Sequence, residues 1–143
     1  MRGAWVGGTV IEDSGGAPLG QKIVDAVPKP VVDLIAQLIA VDSMDESVIK
    51  SDGAKTDFQG NPTECALLAL ARDMGHDYAQ IRSSTEGRSE ATLSRGQPFM
   101  FSSARKMMSW AVPLKGGGYR LFSTGASEIV ILRCDLYLTD DKA

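Results

Sequence analysis

The 143-residue chain has little of what most readily betrays a chemistry. It has two cysteines, Cys65 and Cys134, and neither has a Cys or His partner at metal-ligand spacing. Both read as small buried hydrophobes of a reducing compartment, although the sequence leaves a disulfide between them open. There is one histidine, His76, and no nucleophile or carboxylate dyad surrounds it, so catalysis through it is not expected. The longest apolar stretch, Val31 to Val41, is interrupted by Asp33 and Gln37 and is too short to span a bilayer. Basic residues are not in excess: the net charge is −3 and the pI about 5.1. A nucleic acid or an anionic membrane would call for a clustered basic face, so neither is an expected partner. The N-terminus lacks a basic region, a long apolar run and a cleavage site, and no signal peptide is expected. The glycine runs Gly15-Gly16 and Gly116-Gly117-Gly118 do not fit the phosphate-loop pattern G-x-x-x-x-G-K-[ST].

What is present fits a globular chain with a real core, expected as a single domain over residues 1–143. Hydrophobic residues make up 43% and charged residues 23%, the ordinary balance of a soluble protein. Ala4 to Ile11 reads as a strand softened by two glycines, and Ser14 to Gly20 as a flexible loop. Beyond Pro28 and Pro30, the spacing of Val31, Leu34, Ile35, Leu38 and Ile39 predicts one apolar helical face. Asp42 to Gln59 is polar and reads as a surface loop, with a short strand at Ser47 to Lys50 as an option.

A second helix is expected after Asn61, buried through Leu67, Leu70, Ala71 and Met74 and closed by Gly75. Tyr78 to Arg82 adds a helical turn or two, and Ser83 to Gln97 reads as loop. The pattern then changes to strands. Phe99 to Ser103 is one; Lys106 to Leu114 and Tyr119 to Ser123 form a hairpin around a glycine-rich turn. Ser127 to Cys134 is expected as a short helix burying Ile129, Val130 and Leu132. The fold class is α+β, an antiparallel β-sheet flanked by helices.

Three short segments carry candidate chemistry. In the first, Asn61 suits an N-cap, Pro62 the first helical position and Glu64 the third. This predicts a capping box in which Glu64 reaches back to the Asn61 amide. The same carboxylate, held at a helix start, is able to accept a hydrogen bond from an exocyclic amine. In the second segment Phe101 precedes the polar and basic run Ser102-Ser103-Ala104-Arg105-Lys106. An aromatic on a strand usually belongs to the core, but one before a basic strand end also suits a stacked purine with cations toward its phosphates. Adjacent on a strand, Arg105 and Lys106 would face opposite ways, leaving one of them to line a pocket. The third segment, Gly125-Ala126-Ser127-Glu128, reads as a strand-to-helix turn.

Taken in this order, the three segments resemble the ATP-binding (N) domain of P-type cation pumps, most closely plasma-membrane-type calcium ATPases. The family pattern F-x-S-x-R-K-x-M is matched by Phe101, Ser103, Arg105, Lys106 and Met108, whereas Phe99 has the wrong spacing to Lys106. The resemblance implies that Glu64 lies at the adenine end of a pocket, that Phe101 stacks on adenine and that Lys106 lines the same site, with Arg105 left to a structural ion pair. In the family the third segment is Lys-Gly-Ala with its lysine in the pocket; here that position is Thr124, followed by Gly125. The expected nucleotide-binding set is therefore Glu64, Phe101, Lys106, Thr124 and Gly125, with no catalytic residue and no metal ligand.

The family's phosphorylated motif Asp-Lys-Thr-Gly-Thr is absent, as are membrane helices and the metal-binding aspartates of the phosphorylation domain. The resemblance thus implies an excised cytoplasmic domain of a membrane-embedded pump, without direct membrane contact. It would bind ATP or ADP, with Mg²⁺ in the intact pump, and meet the phosphorylation and actuator domains of its parent chain. Alone it would hydrolyse nothing. The transported ion is chosen in membrane helices, so calcium rests on the likeness of this domain. Thr124 favours an alternative from another class: a nucleotide-independent interaction or regulatory module whose ATP pocket has decayed.

Overall fold

The computed structural model describes residues 3–52, 55–84, 96–114 and 116–138. Its class is α+β, with the strands divided among three small antiparallel sheets. The first is the hairpin of β1 (Gly3–Val6) and β2 (Thr9–Glu12). Gly7 and Gly8 form its two-residue turn, both with positive φ, as a type I′ hairpin demands. The glycines read from the sequence as softening a single strand therefore reverse the chain.

Two helices follow where only one was expected. α1 (Leu19–Ala26) begins in the last two residues of the anticipated Ser14 to Gly20 loop and buries Leu19 and Ile23. α2 (Lys29–Val41) starts after Pro28, with Pro30 in its first turn, where a missing amide hydrogen costs nothing. α2 separates two apolar clusters. On one side Val31 and Ile39 join Ile11, Ile23 and Leu68. On the other, Leu34 and Leu38 pack on Val41, Trp110, Val112 and Phe122.

The segment after α2 departs most from its reading as surface loop. Asp42, Ser43 and Ser47 are all at most 3% exposed. A second hairpin then forms from β3 (Val48–Asp52) and β4 (Lys55–Gln59). α3 (Pro62–Asp73) runs as expected; Ala71 and Met74 are buried as read, Leu67 and Leu70 are only half-buried, and Cys65 and Leu68 are buried in addition. The chain leaves it at Gly75, where the His76 amide returns to the Ala71 carbonyl at 3.1 Å. α4 (Tyr78–Ser84) leads toward the expected 83–97 loop, most of which lies outside the described residues.

The third sheet has the order β5 (Gln97–Ser102), β6 (Met107–Pro113), β7 (Tyr119–Gly125). Trp110, Val112 and Phe122 cover α2 from its inner face. α5 (Ser127–Val130) and a 3₁₀ turn (Ile131–Arg133) close the described chain. This end is more open than expected: Leu132 is 83% exposed, and Ile129 and Val130 are half-buried. Both cysteines are free thiols, Cys65 buried and Cys134 exposed, so only the first behaves as a small core residue. Among the described residues no helix is long and apolar enough to cross a membrane.

Candidate functional site

α3 and the ends of the third sheet face each other across a cavity of about 700 Å³. That volume falls in the roughly 300–1,000 Å³ span of small-molecule sites. Glu64, Phe101, Lys106, Thr124 and Gly125 all line it. They come from three separate stretches of sequence, and the fold brings all five to one concave surface. Ile39, Leu67 and Met108 add apolar lining, while Ser43 and Glu128 add polar groups.

The α3 wall begins with the Asn61 cap. Its Oδ1 accepts from the amides of Thr63 at 2.9 Å and Glu64 at 3.3 Å, satisfying donors that a helix start leaves over. The expected reciprocal bond is not made. The Asn61 amide instead donates to Ser47 Oγ at 3.1 Å. Glu64 turns to the buried loop, where its Oε2 accepts from the Met44 amide at 2.9 Å and from Ser47 Oγ at 2.6 Å. The loop competes successfully because its buried amide and hydroxyl have no water to turn to. Asn61 therefore caps the helix with its own side chain, while the return link from the Glu64 carboxylate to the Asn61 amide runs through Ser47 instead of directly.

Behind this wall stands Arg82, which sequence reading passed over. From α4 its guanidinium donates to the carbonyls of Ala40, Ser47 and Met44 at 3.2, 2.9 and 3.0 Å, and to Ser43 Oγ at 2.7 Å. It also lies 5.1 Å from the centroid of the Tyr78 ring. Burial pushes the Arg82 guanidinium down from its ordinary value, and the negative field of Asp45 opposes that shift. Tyr78 Oη accepts from the Ile49 amide at 2.8 Å, so α4 also grips the start of β3. A basic residue some forty positions from the loop it organises leaves no local signal in the sequence.

The opposite wall is built differently. Phe101 stands at the end of β5 with 59% of its surface exposed, not in the core. Arg105 and Lys106 are not on a strand: they lie in the turn between β5 and β6, so strand alternation does not apply to them. Arg105 donates to the Met100 carbonyl and to Ser102 Oγ, and among the described residues it makes no ion pair. Lys106 has φ of +52°, a left-handed conformation that non-glycine residues rarely adopt. Its amide donates to the Ser102 carbonyl at 2.7 Å and its carbonyl accepts from the Ala126 amide at 2.9 Å. Both bonds hold it in this strained form.

The junction also explains Gly125. A Cβ there would come within 2.5 Å of the Lys106 carbonyl oxygen and 2.6 Å of Met107 Cβ. Glycine is the residue that lets β7 end against the Lys106–Met107 backbone. Thr124 is half-buried beside it and pairs with Met108 across the ladder. Among the described lining residues, Asp42, Glu64 and Glu128 are carboxylates and Lys106 is the ammonium, so the cavity is not strongly cationic. His76 lies elsewhere, 3.4 Å from Asp33, which also pairs with Lys29.

Residues 31–143 match the family model described as P-type ATPase, cytoplasmic domain N. The chain is similar to the plasma membrane calcium-transporting ATPase 4 of Bos taurus, 40% identical over 117 residues, which is 80% of this chain and 9% of that protein. It is 36% identical to human plasma membrane calcium-transporting ATPase 3 over 112 residues, covering 76% of this chain and 9% of the relative. The plasma membrane calcium-transporting ATPase 1 of Gallus gallus is 33% identical over 120 residues, 82% of this chain and 10% of that protein. The chain thus spans about a tenth of the length of the curated relatives it matches.

Proposed function

Because this chain belongs to the family of P-type ATPase cytoplasmic N domains, we propose that its cavity binds ATP or ADP and presents the nucleotide to another part of a calcium pump. One observation carries the reading: Glu64, Phe101, Lys106, Thr124 and Gly125 line a single cavity of about 700 Å³. The exposed Phe101 ring offers a stacking platform for adenine, worth roughly 1–3 kcal/mol. Glu64 keeps Oε1 free of hydrogen bonds among the described residues, and this oxygen accepts from the adenine amino group. Lys106 supplies positive charge on the far side, and Gly125 lets the ligand approach the backbone there.

Phosphoryl transfer requires a nucleophile and charge stabilisation at the γ-phosphate. The sequence lacks the family's phosphorylated motif Asp-Lys-Thr-Gly-Thr, and we read the part of this chain as holding and orienting the nucleotide. In the intact pump, with Mg²⁺ on the phosphates, the γ-phosphate would pass to an aspartate of a separate phosphorylation domain. The bound chain would act as a single nucleotide-binding domain beside the phosphorylation and actuator domains.

Calorimetric titration of the chain with ATP tests this directly. Saturable, weak binding is expected, and no saturable heat at millimolar ATP would overturn it. Phe101→Ala should weaken that binding by at least about fivefold, the lower end of the stacking range. Its melting temperature should stay near that of the parent, since the ring is mostly exposed. Thr124 favours a second reading, an interaction module that binds no nucleotide. That reading predicts no ATP binding either in the chain as it stands or after Thr124→Lys.

A further inference from the structure

We infer that Ser47 is a positioning residue that presents Glu64 to the cavity, and that Arg82 secures Ser47 from behind. The inference rests on the nucleotide reading for the ligand, but its structural half stands on hydrogen bonds alone. Ser47 is 1% exposed and is not itself part of the cavity lining. Its hydroxyl has a defined direction: it accepts from the Asn61 amide at 3.1 Å and so turns its own hydrogen toward Glu64 Oε2, 2.6 Å away. A short bond of this kind to a charged acceptor is among the stronger protein hydrogen bonds. With the Met44 amide it fixes one carboxylate oxygen. Two donors on Oε2 fix both the position and the rotation of the carboxylate, and Oε1 is left as the acceptor available to a ligand.

The loop carrying Met44 and Ser47 is neither helix nor strand; its own bonds include the turn from the Ser47 amide to the Met44 carbonyl at 3.0 Å and the Ser43 hydroxyl to the Ile39 carbonyl at 2.8 Å. Arg82 braces it further, with four hydrogen bonds to Ala40, Ser43, Met44 and Ser47. The guanidinium fork reaches several acceptors that diverge around it, which a lysine ammonium cannot do with the same geometry. It also places a half-buried positive charge outside the cavity lining, and Glu64 is among the groups whose field it feels.

The chemical consequence is base selectivity. A carboxylate oxygen fixed in one orientation favours a purine with an amino group at position 6. A purine with a carbonyl there sets acceptor against acceptor and leaves both unpaired. A carboxylate free to rotate away would tolerate either. Ser47 and Arg82, which never touch the nucleotide, thereby set the preference for ATP over GTP.

The test compares the chain with Ser47→Ala, Ser47→Thr and Arg82→Lys, using ATP and GTP as probes in calorimetry. Side-chain NMR on ¹³C-labelled glutamate follows Glu64 without nucleotide. Ser47→Ala should lower the ATP-to-GTP affinity ratio by about tenfold, the loss of one charge-assisted hydrogen bond. It should also turn the Glu64 carboxyl from ordered to mobile. Ser47→Thr, which keeps the hydroxyl, should restore both, and Arg82→Lys should lie between. An unchanged ratio in folded Ser47→Ala, or a Glu64 carboxyl as ordered as in the parent, overturns the inference. A parent chain that binds neither nucleotide removes the ATP reading and the selectivity with it. The Glu64 order still decides whether Ser47 positions the carboxylate.

Discussion

The two walls of the cavity solve opposite problems. The α3 wall is braced before any ligand arrives: Asn61, Glu64, Ser47 and Arg82 form one connected set of hydrogen bonds running back into α4. The sheet wall offers surfaces instead of partners. Phe101 is mostly exposed, and Lys106 is tied through its backbone while its ammonium makes no salt bridge among the described residues. A braced wall can discriminate, because ligand binding does not have to order it. An open wall can attract, because its ring and charge are not already spent on the fold. On the proposed nucleotide reading, selectivity and affinity would be placed on different sides of this cavity.

The contrast breaks most visibly at Glu64. Glu64→Ala should leave the Met44 amide and the Ser47 hydroxyl short of their acceptor and cost about 1–3 kcal/mol of stability. A thermal melt indistinguishable from the parent would show that the α3 wall is not braced through this residue. On the open wall, Thr124→Lys adds a cation without breaking a described hydrogen bond. ATP affinity should rise by about 1–2 kcal/mol at low salt and the gain should shrink as salt screens it. Titration at two salt concentrations measures both.

The smallest effect is expected at Lys106. A left-handed non-glycine residue costs about 1–2 kcal/mol, whereas glycine pays roughly 0.5–1 kcal/mol in unfolded-state entropy. Lys106→Gly should therefore stabilise the fold by about 0.5 kcal/mol while weakening ATP binding. Denaturant unfolding together with calorimetry would separate the two, and a loss of stability would mean that the side chain itself supports the turn.

Much of the frame could be read from local pattern. The apolar spacing of Val31, Leu34, Ile35, Leu38 and Ile39 gave α2, and the alternation around Trp110 and Val112 gave the β6–β7 hairpin. α1 escaped because it opens on Pro18 with no side-chain cap and carries no acidic first turn. β3 is legible only as an optional short strand and its partner β4 escaped, because their residues, including Lys50, Ser51, Thr56 and Asp57, are mostly polar and held by pairing, with Ile49 packing on the core. The five cavity residues were legible through their order along the chain. Their support was not: Ser47, Met44 and Arg82 act through contacts closed only when α4 folds over the loop after α2. Burial of Asp42, Ser43 and Ser47 runs against their polarity, and only the tertiary arrangement explains it.

The contact of Gly125 with the Lys106–Met107 backbone makes the β6–β7 hairpin a measuring device. Met107 pairs with Gly125 and Pro113 with Tyr119 in an unbroken ladder. The number of residues between the two cavity segments is thus counted by strand pairing, not left to a compliant linker. Adding or deleting one residue within a strand would turn Thr124 to the other face of the sheet and bring a side chain against the Lys106 carbonyl. The tip of the hairpin, by contrast, lies outside this count. Substitutions there leave the count unchanged, although Gly117 and Gly118 hold φ of +87° and +82° and so favour glycine; strand pairing constrains the length of the hairpin and backbone conformation its turn.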